Sequence, residues 1–204
     1  MNVVDSVEEL ESIVGVPTQR AADKVRHELV EMDREWLAAS SLVFIATSDS
    51  QGNLDVSPKG DPAGFTKVLG ATTIAIPDRP GNRRVDGFHN LLADPHIGLV
   101  FLIPGRGDTL RINGRATIVS DADFFDDMVV KGNRPDVALL VEVDEVFFHC
   151  SKAFLRSKAW NPETWSPEAA PRRAVIAHEV ERPEDSVETL DAYYGPSYAE
   201  KIYG

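Results

Sequence analysis

The amino-acid sequence predicts a mainly β protein of the α+β class, built as an antiparallel, six-stranded barrel that is closed or partly closed, with peripheral helices. Short apolar runs of the β type recur between residues 41 and 149, and most are joined by turns or by a single short helix. The run over 109–119 alternates between apolar and polar residues, as a strand with one buried face does. The regular strand–helix alternation of a doubly wound parallel sheet is missing.

The first 40 residues are predicted to be helical and to pack on the barrel. Apolar residues recur there at helical spacing, with charged residues between them, namely Val25, Leu29, Met32 and Trp36. We therefore divide one domain into a helical segment over 1–40, the barrel over 41–160 and a C-terminal extension over 161–204.

Within the barrel, apolar runs and turn residues predict the elements. The predicted strands cover residues 42–46, 54–57, 72–76, 97–103, 109–119 and 137–148. Helices are predicted over 83–93 and 121–130, and a short helical or turn segment over 153–158. The extension begins irregularly because it is rich in proline, and Ser186 is expected to cap a short helix. Tyrosines follow it, at 193, 194 and 198, and we expect this tail to wrap onto its own domain or onto a partner subunit.

Composition excludes several classes of function. The chain has 204 residues with a formal net charge of -12, which argues against nucleic acid and anionic membranes as partners. Neither a signal peptide nor an apolar stretch of ~20 residues is visible, so we expect a cytoplasmic protein. One cysteine excludes an internal disulfide framework. The five scattered histidines lack the spacing of a metal site, and no metal is expected.

The charge is unevenly distributed. Residues 79–115 contain three aspartates and six arginines, a local charge of +3, the arginines being Arg79, Arg83, Arg84, Arg106, Arg111 and Arg115. This basic segment predicts a small anion such as phosphate, bound at one place; the alternative is a set of solvated surface arginines.

Two short segments give the anion a position, although no glycine-rich nucleotide loop is present. Gly81-Asn82-Arg83-Arg84 places two arginines at the start of a predicted helix, where free N–H groups and guanidinium forks favour phosphate. The alternative is that Asp86 neutralises them. In Ser57-Pro58-Lys59-Gly60, the proline limits this position to a sheet edge or strand end. Lys59 is then either a ligand contact or an ordinary exposed lysine.

Taken in order, these segments resemble the pyridoxamine 5'-phosphate oxidase-related FMN-binding split barrels. The resemblance covers about residues 28–165 and depends on the order and spacing of several segments, namely 42–47, 56–61, 76–84, 90–92, 94–101 and 150–157. The oxidase proper has a tryptophan where this chain has Phe148, and an arginine–x–histidine clamp where this chain has Arg156 without the histidine. The resemblance is therefore to an uncharacterised FMN-dependent branch, and pyridoxine phosphate is not expected as the substrate.

The resemblance implies a homodimer with FMN at the subunit interface. The residues it places along the isoalloxazine and ribityl chain, or at the ring edge through their backbone, are Ser57, Pro58, Lys59, Ile76, Pro77 and Asp78. Those it places on the phosphate are Asn82, Arg83 and Arg84. It brings Arg111 to the flavin from the neighbouring chain, and it sets Phe148 and Arg156 near the cofactor.

The function implied is an FMN-dependent oxidoreductase acting on a small molecule, with dioxygen or a nicotinamide as the other redox partner. The flavin would carry the redox chemistry, so no catalytic side chain is assigned. Alternatives are a non-enzymatic flavin-binding or flavin-sensing dimer, and a deazaflavin-dependent reductase on the same barrel. Haem is the least favoured cofactor, because no histidine is identified as an axial ligand.

Overall fold

Seven strands form one antiparallel sheet in the computed structural model, which describes residues 1–200 and 202–203. The strands are β1 (Leu42–Ser48), β2 (Leu54–Gly60), β3 (Lys67–Val68), β4 (Thr73–Pro77), β5 (His96–Leu102), β6 (Thr109–Val119) and β7 (Ala138–His149). Their order across the sheet is β2-β1-β5-β6-β7-β4-β3. The predicted antiparallel split barrel with peripheral helices is confirmed, with one more strand than expected. The additional strand is β3, whose two residues are too few to show a period.

Within the described residues, three α-helices precede the strands in the sequence, one lies between β4 and β5, and four follow β7. They are α1 (Val7–Val14), α2 (Gln19–Ala22), α3 (Glu31–Ala39), α4 (Asp86–Ala93), α5 (Lys152–Ser157), α6 (Arg173–Val180), α7 (Val187–Tyr193) and α8 (Pro196–Glu200). Short 3-10 helices cover Asp123–Met128, Pro162–Thr164 and Pro167–Ala169. In the described part of the chain, none of the helices combines the length and the apolar character that crossing a membrane requires.

The two ends of the sheet curl towards each other around one core. Val43 and Ile45 of β1 share a buried cluster with Ile74 and Ile76 of β4, although three strands separate β1 from β4 in the sheet. At the seam, side chains rather than a strand pairing join β2 to the end of β4: Lys59 forms an ion pair with Asp78, with 2.5 Å between Nζ and Oδ1. This seam is what makes the barrel split.

The predicted helix through Val25 and Trp36 is wrong in its first half. Helix α3 begins at Glu31, and Met32 is exposed. The reason is Asp33, a fully buried carboxylate that accepts a hydrogen bond from the Val30 N–H at 2.9 Å and pairs with the Arg26 guanidinium. Arg26 in turn forms an isolated β-bridge with a β7 residue, so the segment before α3 is held extended.

Other local predictions differ at their boundaries. The helix predicted from residue 83 begins at Asp86, and the one predicted over 121–130 is a 3-10 helix. The cap at Ser186 is confirmed, because its Oγ accepts a hydrogen bond from the Thr189 N–H at 3.2 Å and α7 follows. Helix α6 was not predicted. It packs with α7 through a small buried cluster of its own, which contains Ala174, Ala177 and Leu190.

Candidate functional site

Strand β2 supplies polar side chains to the seam because its residues alternate between two faces. Asp55, Ser57 and Lys59 are half-buried on the inner face, whereas Leu54 and Val56 are exposed on the outer face. Besides its pair with Asp78, Lys59 places Nζ 5.3 Å from the centroid of the Phe88 ring. The Lys59 side chain is only 27% exposed, so it is a fixed cation at the seam and not an ordinary exposed lysine.

A cavity of about 280 Å³ opens beside these residues. Its apolar wall comes from Ile45, Phe88, Leu91 and Leu139, which belong to β1, α4 and β7. Helix α4 is fixed in this wall because it packs against β1, β2 and β6. The Asn90 side-chain amide also ties it to β1 by donating to Thr47 Oγ1 at 3.1 Å. The cavity therefore combines an apolar surface with the polar face of β2.

The start of α4 approaches β2 closely, and a glycine permits this. A Cβ atom on Gly87 would lie 2.9 Å from Asp55 Oδ2 and 3.4 Å from Thr47 Oγ1. Neither Asp55 nor Gly87 was among the residues predicted from sequence. The alternation of β2 could have revealed Asp55, since it shares a face with Ser57 and Lys59.

A second cavity, of about 730 Å³, adjoins the first and shares Lys59, Asn82 and Arg84 with it. The loop before α4 forms its wall. Asn82 Oδ1 accepts a hydrogen bond from the Arg84 N–H at 2.9 Å, and Arg83 has a φ of 60°, in the left-handed region that few non-glycine residues adopt. The two arginines that follow Asn82 therefore differ in their surroundings.

The two loop arginines differ in their partners. Arg84 pairs with Asp86, and this hydrogen bond raises the pKa of the Arg84 guanidinium. The alternative of neutralisation by Asp86 is therefore confirmed for Arg84. Arg83 makes no ion pair with any residue in the described ranges 1–200 and 202–203, so its guanidinium is open to a ligand.

Pairing removes most of the remaining positive charge of the basic segment. Arg79 is nearly buried; its Nε lies 2.6 Å from Asp61 Oδ2, and its Nη atoms donate to the carbonyls of Met128 and Asn133. Arg106 pairs with Asp108, and Arg115 with Asp144. Of the six arginines, only Arg83 and Arg111 lack an ion pair among the described residues.

Arg111 belongs to a different place, on the outer face of the sheet. Its Cζ lies 4.9 Å from the centroid of the Phe147 ring, and Lys24 Nζ lies 5.1 Å from the same centroid. His149 follows two residues along β7 and therefore on the same face as Phe147. Burial first, and then repulsion from Arg111 and Lys24, lowers the pKa of His149. We call Lys24, Arg111 and His149 the β6–β7 cluster. Sequence reasoning identified only Arg111 of its three residues.

Of the twelve predicted cofactor residues, seven line the two adjoining cavities: Ser57, Pro58, Lys59, Asp78, Asn82, Arg83 and Arg84. Ile76 and Pro77 are buried in β4 and do not line either cavity.

The remaining three predicted residues lie elsewhere in the chain. Arg111 is on the outer face, Phe148 packs edge-on against Trp36 at 5.3 Å between centroids, and Arg156 is exposed on α5. A single chain therefore does not bring these three residues to the cavities.

The C-terminal tail reaches the larger cavity through Tyr203, another residue that sequence reasoning did not identify. Its hydroxyl donates to Asp61 Oδ1 at 2.5 Å, which raises the pKa of the phenol. Tyr193 and Tyr198 line a neighbouring cavity with Gly81 and Asn82. The tail thus wraps onto its own barrel, as one of the two expectations stated.

Comparison with known proteins identifies the family to which this chain is similar. A family model described as pyridoxamine 5'-phosphate oxidase matches residues 29–150. No curated protein matches the chain.

Several solved structures are similar at low sequence identity. HupZ from Group A Streptococcus is 18% identical, with 59% of this chain and 94% of that chain covered and a TM-score of 0.46. An FMN-binding protein from Syntrophomonas wolfei is 15% identical, with 58% and 89% covered and a TM-score of 0.43. A FAD-binding protein from Mesorhizobium loti is 15% identical, with 61% and 96% covered and a TM-score of 0.42.

Proposed function

This chain belongs to the pyridoxamine 5'-phosphate oxidase family, and from that membership we propose that it binds FMN and acts as an FMN-dependent oxidoreductase on a small molecule. The observation that carries the proposal is the pair of adjoining cavities at the barrel seam, with the unpaired Arg83 in the wall of the larger one. The residues present fit the chemistry of FMN. The smaller cavity offers an apolar wall and a polar strand face, as a planar ring with polar edges requires.

The larger cavity suits the phosphate. A guanidinium binds phosphate through charge-assisted hydrogen bonds, and these are stronger when no carboxylate competes for the donors. Arg83 meets that condition among the described residues, and its left-handed backbone is a conformation that is enriched at ligand-binding sites. Asn82 and Lys59 line the same cavity and add further donors.

In this proposal the chain's own residues bind and orient the cofactor. Lys59 and Asp78 fix the two sides of the seam, Phe88 and Leu139 exclude water from the smaller cavity, and Arg83 holds the phosphate. When bound, the flavin supplies the electron-transfer chemistry, and the protein supplies position and electrostatics. No side chain of the smaller cavity is assigned as an acid or base.

We further propose a homodimer that uses the outer face of the sheet. Phe44, Leu54 and Val56 are 39%, 79% and 64% exposed there, and contiguous apolar surface of this kind marks interfaces. The strand register continues this face from Phe44 across β5 to Arg111 and Phe147. A second copy on this face would bring Arg111 to the interface, which is the placement that the family resemblance implies.

Absorption spectroscopy of the purified protein tests the cofactor. We expect a bound flavin, or binding of added FMN at micromolar concentration; a colourless protein that does not bind FMN overturns the proposal. Mass spectrometry of the extracted cofactor distinguishes FMN from a deazaflavin. Reduction of bound FMN by a nicotinamide, faster than that of free FMN, separates an enzyme from a flavin sensor.

A further inference from the structure

The β6–β7 cluster gathers two cations at the Phe147 ring, and both act on the charge of His149, which follows on the same face of β7. Lys24 and Arg111 place their charged ends about equally far from the Phe147 centroid, at 5.1 and 4.9 Å. Lys24 Nζ also donates to the Phe148 carbonyl at 3.2 Å, which holds the ammonium at the edge of β7. These contacts fix the cations, so the cluster is an ordered feature of the fold.

The cations of this cluster lack a carboxylate partner among the residues that the structure describes. Within residues 1–200 and 202–203, none of its three members forms an ion pair. The nearest acids along β7 have other partners: Asp144 pairs with Arg115, and Glu145 Oε2 accepts a hydrogen bond from the Asn113 side-chain amide at 2.9 Å. The charged groups that act on His149 are Arg111 from β6 and Lys24 from the N-terminal segment, and both repel a proton.

Such an arrangement is more favourable when an anion completes it. Like charges around one site repel each other, and the surrounding protein has a net charge of -12 with acids available for pairing. Arginine, lysine and histidine together present a planar fork, a point charge and a ring N–H, which are the donors that phosphate groups use. We propose that Lys24, Arg111 and His149 form a binding site for the phosphate group of a small molecule.

Binding at this site is coupled to protonation of His149. In the free protein, burial first and then the two neighbouring cations lower the pKa of His149, so the imidazole stays neutral to lower pH than usual. An oxyanion stabilises the protonated ring, so the complex has the higher pKa and binding takes up a proton. The affinity for an anion of constant charge, such as sulfate, should therefore be greatest at low pH and fall as the pH rises through the pKa of the complex.

Histidine side-chain NMR tests the site directly, with inorganic phosphate and sulfate as probes. We expect phosphate to shift the His149 resonances and sulfate to raise the pKa of the ring, and His149→Gln identifies those resonances among the five histidines. Lys24→Ala and Arg111→Ala should each weaken phosphate binding on the order of tenfold. The matched control is Arg115→Ala, on the same face of β6 but paired with Asp144, which should leave the affinity unchanged. Equal affinities in all the variants, or an equal loss in Arg115→Ala, overturn the proposal.

The phosphate group has two candidate sources, a separate phosphorylated molecule or the FMN of a second copy, and titration of the FMN-saturated protein distinguishes them. In the second case the FMN phosphate lies at this cluster and not at Arg83, where the proposed function puts it. If the site serves the FMN of a second copy, saturation with FMN abolishes phosphate binding, and Lys24→Ala weakens FMN binding. If it serves a separate molecule, phosphate binds both forms and FMN affinity is unchanged in Lys24→Ala. Both results support the site. A wild-type protein that binds phosphate but not FMN would overturn the proposed function while supporting the phosphate site.

Discussion

The two basic regions of the molecule differ in how their charge is balanced. At the seam, Lys59, Arg79 and Arg84 each pair with an aspartate, and of these four cations only Arg83 has no ion pair with a residue that the structure describes. On the outer face, none of the cations of the β6–β7 cluster has a carboxylate partner in the described part of the chain. The difference shows that a local excess of arginine does not measure the charge available to a ligand. The positive charge that a ligand can use is the charge left unpaired once the fold has brought acids from distant parts of the sequence to the cations.

The largest effect is expected at the most deeply buried pair of the seam. The Asp61 and Arg79 side chains are 2% and 12% exposed, so Asp61→Ala leaves a nearly buried guanidinium without its counter-charge. We expect a loss of about 3–5 kcal/mol in the free energy of unfolding, measured by denaturant titration. The double variant Asp61→Leu/Arg79→Met should be less destabilised than Asp61→Ala. A loss below about 1 kcal/mol in the single variant would show that the pair is solvated.

The next prediction separates the two loop arginines by ligand binding. Arg83→Ala should weaken FMN binding by about tenfold to a hundredfold, because it removes charge-assisted hydrogen bonds from an unpaired donor. Arg84→Ala should have a much smaller effect, since Arg84 Nε already donates to Asp86 and the side chain is exposed. Isothermal titration with FMN measures both variants. Equal losses would mean that Arg84 leaves Asp86 on binding, and the distinction between paired and open cations at the seam would fail.

The close approach of α4 to β2 gives a third test at the seam. The added Cβ in Gly87→Ala would press on the Asp55 carboxylate, and we expect a loss of stability of about 1–3 kcal/mol from this overpacking. Gly81→Ala is the matched control, because a Cβ there meets nothing within 4 Å. Thermal unfolding compares the two variants. Removing the obstructing carboxylate in Gly87→Ala/Asp55→Ala should restore part of the loss; a double variant no better than Gly87→Ala would contradict this origin.

Short-range pattern was sufficient for the strands and for part of the site. The alternation over 109–119 predicted β6 with its boundaries, and Gly81-Asn82-Arg83-Arg84 was identified as the segment before α4 although the helix begins only at Asp86. The pairing of Arg84 with Asp86 could be stated as an alternative because the two residues are neighbours in sequence. Pairs such as Arg79–Asp61 and Arg115–Asp144 could not be predicted, because their members are 18 and 29 residues apart and meet only through the folded sheet.

The start of α3 shows the same limit. The apolar spacing of Val25, Leu29 and Trp36 is helical, yet the Arg26–Asp33 pair and the bridge of Arg26 to β7 hold the first half extended. The β6–β7 cluster likewise joins three distant parts of the sequence, so local charge counting identified Arg111 and omitted Lys24 and His149. In both places, sequence reasoning missed a contact between the N-terminal segment and β7.

The smallest expected effect concerns the pH dependence of stability. The pKa of His149 is lowered in the folded protein, so the unfolded chain binds more protons, and this group destabilises the fold as the pH falls through the imidazole's ordinary range. His149→Gln should therefore lose less stability than the wild type on acidification, while matching it at neutral pH. Melting temperatures across that range measure the difference. The control is His178→Gln, a histidine whose Nδ1 contacts the Asp185 carbonyl in the C-terminal helices, far along the chain from the cluster.

Saturating phosphate should change this result. With phosphate bound, the wild type should no longer lose more stability than His149→Gln on acidification, because a bound oxyanion makes protonation of His149 favourable. A wild-type protein that still loses more stability than His149→Gln with phosphate bound would show that the unpaired cations on the outer face do not bind an anion. The outer face would then differ from the seam only because the fold tolerates unpaired positive charge there.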